Sequence, residues 1–303
     1  MVFKGLLVVV SGFLFIFASG VPMRLIARFR PDYKREGIYW GIAIWGLAFF
    51  VSNFLQSLLK QVFLIEFDGN QLVKIISFVF STLFLTLLVQ IGMQIYLKFH
   101  NTLIIQILAW VFLFPLTLFL FLFAREKKQE DIISSGLALG FGIGLIAQVF
   151  TGMILITAGA GVLLQGLGVI LPEGIFQKEM LDVISKESLF GLAAALLSLV
   201  LFRVALLIIS ASQGYLVAGS ALGKKWQFWI ALLGYSAFSW LIFFLQMLFG
   251  DQNPGQVSLG LTQPVTSVIS AVYYLTALIL GYRWLSEELR SADKEIVKPR
   301  SKK

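Results

Sequence analysis

The sequence predicts an all-α fold: a polytopic transmembrane helix bundle of about eight hydrophobic segments, making seven to nine spans, with one interfacial amphipathic helix. Three observations carry this. Apolar residues make up 58% of the 303 and charged residues 13%, about half the charged share of a soluble globular chain. Apolar stretches of roughly 20 residues, the length that crosses a bilayer, recur along the chain. The loops between them are short, which leaves no room for an inserted soluble domain. Composition also excludes whole classes of chemistry. There is no Cys, which removes disulfides, thiolate metal sites and cysteine nucleophiles, and the single His100 cannot build a multi-histidine metal site. Lys and Arg number 24 against 16 Asp and Glu, a net charge of +8. The basic residues sit in loops and in the tail, which suits a lipid bilayer with anionic headgroups and not nucleic acid.

The first segment, 5–26, is too long in its apolar part for a signal peptide and is not followed by a soluble domain, so it reads as a span. Segments 38–59, 72–97, 103–123, 132–158, 188–218, 228–249 and 264–284 follow. Trp40, Trp110, Trp226, Trp229 and Trp284 fall near segment ends, where interfacial aromatics belong. By composition the chain divides into a transmembrane bundle over 1–285 and a basic tail over 286–303. Seven Lys and Arg follow Tyr282, which places the C-terminus in the cytoplasm and the protein in the cell membrane. The first loop, with Arg24, Arg28, Arg30, Lys34 and Arg35, calls for the same side. Seven segments lie between the two, and seven crossings would separate them. Either one segment does not cross fully or a long one hides two, and 72–123 and 132–171 are the stretches concerned. The loop 171–188 reads as the interfacial helix. Pro172 suits a first turn, and Ile175, Phe176, Met180, Val183 and Ile184 recur at helical spacing opposite Lys178, Glu179, Asp182 and Lys186.

A charge inside hydrocarbon costs about 2.5–3.5 kcal/mol on insertion scales, so one that persists there is usually functional. All 16 Asp and Glu lie in loops, at segment ends or in the tail. A proton relay, a carboxylate protease or a metal-dependent hydrolase needs at least one inside. No catalytic residue, cofactor or metal ligand is therefore expected. The one charge deep in a span is Arg203. It faces either an anionic ligand or headgroup, or polar groups of other spans in a structural role. Gln56, Gln94, Gln148, Arg203, Tyr235 and Ser239 form a candidate polar cavity, with Gln90, Ser210, Ser212, Gln213 and Ser236 as further polar residues inside spans. Gly136, Gly140, Gly144 and Gly152 recur at multiples of four and are expected to form one stripe for close helix packing.

The order of elements resembles the YhfC-type bacterial membrane family, kin to glutamic-type intramembrane proteases. The residues that carry the resemblance are SGFLFIFASGVPMRLIARFR at the first span and loop, Ser52 to Gln56, the run from Gly140 to Ala147 after a basic turn, the LPEG loop, Phe202-Arg203, and Tyr235 to Ser239. The resemblance implies a glutamic-protease-like bundle with a bacterial origin. The family's chemistry is not retained: Ile143 and Ala147 stand where it has His and Glu, Phe202 replaces the Glu before Arg203, Tyr235 and Ser239 replace a late His and Asp, and Gln94 and Lys98 replace an acidic motif. What the resemblance implies is thus a non-catalytic relative that binds a transmembrane helix of another protein, or a lipid, in an intramembrane polar cavity. A transporter or permease-like subunit, or a protease with atypical residues, are the alternatives.

Overall fold

The structure is a computed structural model that describes residues 1–18, 20, 24, 35–63, 71–99, 132–169, 181, 184–249 and 264–297. Every element among them is a helix: α1 Val2–Ala18, α2 Arg35–Phe63, α3 Gln71–Phe99, α4 Ile132–Gly166, α5 Leu189–Ala221, α6 Trp226–Phe249 and α7 Pro264–Val297. The apolar stretch 103–123 lies outside the described residues, as does most of the loop 171–188. Gly37–Leu55, Ile75–Lys98, Ile132–Gly166, Leu189–Ala221 and Val268–Arg290 are long and apolar enough to cross a membrane. α1 is a shorter apolar helix.

α4 is one unbroken helix of 35 residues, not a segment ending near 158 and not two spans. Its end is set by Gly168, which takes φ of 80°. That left-handed residue lets Val169 N–H reach Leu164 O and Gly168 N–H reach Gln165 O, each at 3.0 Å, in a Schellman cap. α5 ends the same way at Gly223 (φ 105°), whose cap leads directly into α6. Ser188 starts α5, with its Oγ accepting from Gly191 N–H at 2.9 Å. α7 runs through position 285, so composition and not structure separates bundle from tail.

The chain forms two compact units. One is Met1–Phe29, Gly144–Ile208 and Ile242–Lys303; the other is Arg30–Ile143 and Ile209–Leu241. In the first, α1 runs antiparallel to the C-terminal part of α4. A Cβ on Gly5 would lie 2.6 Å from Leu163 N, one on Gly12 2.8 Å from Gly152 O, and one on Gly159 2.7 Å from Val9 N. Side chains on this seam would push the backbones apart. Val8, Phe15, Leu155, Val162, Leu192 and Leu196 fill a common core with Leu181 and Ile184, the latter being the one residue of the expected interfacial stripe that is described. Lys4 closes one end by donating to Ser185 O at 2.7 Å and Glu187 O at 2.5 Å. α7 runs parallel to α5, with Phe202 against Tyr274 at 5.1 Å between ring centroids and Gly281 beside Ile208.

In the second unit, α2 and α3 form an antiparallel pair in which Trp40 meets Tyr96 at 5.2 Å and Ile44 meets Gly92. α2 runs parallel to the start of α4, where Gly37 meets Ala138 and Gly142 meets Ile38. α4 runs antiparallel to the end of α5: Gly136 and Gly140 sit against Gly214 and Ser210 O, backbone to backbone. Gly136, Gly140 and Gly152 therefore do not share one neighbour. At 3.6 residues per turn a spacing of four advances about 40° per step, so the stripe winds round α4. Its upper glycines meet α5, Gly152 meets α1, and Gly144 between them is buried.

Candidate functional site

The six cavity candidates fall into both units. Gln148 and Arg203 belong to the first; Gln94, Tyr235 and Ser239 belong to the second, and the side chain of Gln56 lies outside the described residues.

In the first unit, Gln148 is 1% exposed and its Nε2 donates to Phe15 O at 2.5 Å. The bond ties α1 to α4 across their seam. Arg203 sits midway along α5 with its guanidinium carbon 5.0 Å from the Phe202 ring centroid. Tyr274 of α7 packs against Phe202 with the two ring planes tilted by 44° and hydrogen-bonds with Ser270. Arg203 therefore stands beside an aromatic ring, which tolerates a cation at lower cost than aliphatic groups. Ser270 and Tyr274 were not singled out by sequence. Their four-residue spacing within an apolar segment was the available signal.

In the second unit, Gln94 Nε2 donates to Ser220 Oγ at 2.8 Å and ties α3 to α5. Tyr235 and Ser239 are one turn apart on α6, and Ser239 Oγ donates to Tyr235 O at 3.4 Å, a long bond within one helix. Between them Ser236 is fully buried. Gln90 and Gln213 are buried, and no side-chain polar atom of either has a hydrogen-bond partner; the same holds for Ser210 Oγ, Ser236 Oγ and Trp240 Nε1. Among the described residues, no three His, Cys, Asp or Glu side chains come together in a way that could hold a metal ion.

The helices define a class: a multi-pass integral membrane protein built from α-helices. No protein-family model matches the chain, and neither a curated protein nor a solved structure is similar to it.

Proposed function

We propose that the protein is a non-catalytic integral membrane protein of the cell membrane, related to the intramembrane-protease-like family it resembles, which binds a transmembrane segment or a lipid. Arg203 carries this reading. It is a permanent charge midway along an apolar helix, held beside the Phe202 ring on which Tyr274 packs, in a chain whose acids lie in loops, at segment ends or in the tail. Such a group suits recognition of an anionic carboxylate or phosphate and does not by itself activate water.

Helix directions support an orientation as well. α3 ends and α4 begins at the same end of their unit, because α2 is antiparallel to α3 and parallel to α4. The described helices between the first basic loop and the basic tail are then α2 to α7, an even number of crossings, and both basic stretches reach one side. By position in the sequence, 18 of the 24 Lys and Arg flank that side, five flank the other, and Arg203 is the remaining one. This bias favours a cytoplasmic C-terminus and an external N-terminus.

The test is photo-crosslinking from position 202 in vesicles, with purified full-length protein also incubated with transmembrane peptides. An adduct that disappears in Arg203→Leu, with no peptide cleavage, is expected. Cleavage that is lost in Arg203→Leu or Tyr235→Phe would overturn the reading, as would crosslinking that never depends on Arg203.

A further inference from the structure

The seam between α3 and α5 carries a second kind of chemistry, independent of Arg203. Gln94 and Ser220 fix its register through their 2.8 Å bond. Gln90 lies one turn before Gln94 and Gln213 two turns before Ser220, so each shares its neighbour's face. α3 and α5 run in the same direction, because α2 is antiparallel to α3 and parallel to α4, and α4 is antiparallel to α5. From the Gln94–Ser220 contact, Gln90 is then about 6 Å and Gln213 about 10 Å along their helices, within one turn of each other. The two side chains are 0% and 2% exposed. Neither amide nitrogen nor amide oxygen has a hydrogen-bond partner in either residue.

A buried amide that makes no bond forfeits the bonds it had with water, and two such amides at one level leave donors and acceptors on both sides of the seam. The buried polar side chains of this unit are all uncharged among the described residues: serines, Thr86 and glutamines. Such a lining offers no counter-charge to an ion in a medium of low dielectric constant. We infer that the α3·α5 seam at Gln90 and Gln213 is a binding site for small uncharged molecules that both donate and accept hydrogen bonds, water and primary amides among them. This goes beyond the proposed function, involves a different unit, and asks for a neutral occupant where Arg203 asks for an anion.

The absence of Cys makes the test clean, since a single introduced thiol is the only one present. Full-length Gln90→Cys and Gln213→Cys are treated in membranes with hydroxyethyl, trimethylammonioethyl and sulfonatoethyl methanethiosulfonate. Leu222→Cys in the exposed α5–α6 turn sets each reagent's full rate, and Phe80→Cys, 68% exposed on an apolar face, serves as the hydrocarbon control. Relative to Leu222→Cys, the neutral reagent should modify at least one seam thiol on the order of tenfold faster than either charged reagent, and acetamide should slow it. The two substitutions lie on opposite helices, so misfolding of one leaves the other to report. Thiols that react only after denaturation would mean a dry, closed seam and overturn the inference. Equal rates with charged reagents would overturn its neutrality. Neither result bears on Arg203-dependent crosslinking, so the two ideas fail separately.

Discussion

Gly140 and Gly214 show what a single hydrogen atom does in this molecule. A Cβ on either would run into the facing backbone, at Ser210 O or Gly136 O, which cannot swing aside as a side chain could. Gly140→Leu is expected to lose about 1–3 kcal/mol of stability and to lower folded yield in membranes, whereas Gly46→Leu, with nothing within 4 Å of its Cβ, should leave both unchanged. Thermal unfolding of both purified variants checks this; equal stability would mean that α4 and α5 can part at no cost. Gln94 and Ser220 allow a finer measurement. A double-mutant cycle with Gln94→Leu and Ser220→Ala should give a coupling of about 0.6 kcal/mol, the usual worth of an interhelical bond in a membrane. Gln94 was visible in the sequence because an amide is conspicuous among leucines. Ser220 was not, since the pair is 126 residues apart and only helix direction brings them level. Arg203 was equally visible, but the packing of Tyr274 on the adjacent Phe202 was not, since the two are 72 residues apart in the chain.

At the scale of elements, α1 is held by three different devices: Lys4 near its start, glycines along the seam, and the Gln148 amide at Phe15. Removing the charged tether should loosen only that end. Lys4→Met is expected to cost on the order of 1 kcal/mol, given its partial exposure, and to speed protease cleavage between 181 and 188. Unchanged cleavage would show that Lys4 does not hold those carbonyls in solution. The glycine pattern was legible in part. A spacing of four marked α4 as a close-packing helix, but it winds round the axis and meets successive neighbours. Gly152, Gly159 and Gly166 recur every seven residues, drift only about 20° per repeat, and make the straighter seam with Gly5 and Gly12. The end of α4 was hidden because the residues after 158 remain apolar, and only a left-handed glycine marks the stop.

For the whole molecule, composition announced an all-helical membrane protein, and the helices follow most of the apolar segments. The conflict over the number of crossings could not be settled from hydropathy, because hydropathy does not say at which end of a neighbour a helix begins. Helix pairing does. Single Cys residues at Lys225 and after Lys303 should be labelled by an impermeant maleimide only once the cytoplasmic side is opened, and Cys at Leu167 should be labelled from outside in intact cells. Labelling of Lys225→Cys and Leu167→Cys from the same side would refute this orientation.

The antiparallel seam between α1 and α4 also imposes a schedule. Phe15 and the Gln148 amide that bonds to it are 133 residues apart in the chain. At about 5–20 residues per second, α1 leaves the ribosome roughly 7–27 s before its partner exists. For that interval its small-residue face meets lipid or the insertion machinery, with no backbone of its own to lie against. α1 is thus made well before the helix that secures it, and shortening the wait by faster translation should raise the yield of the assembled protein.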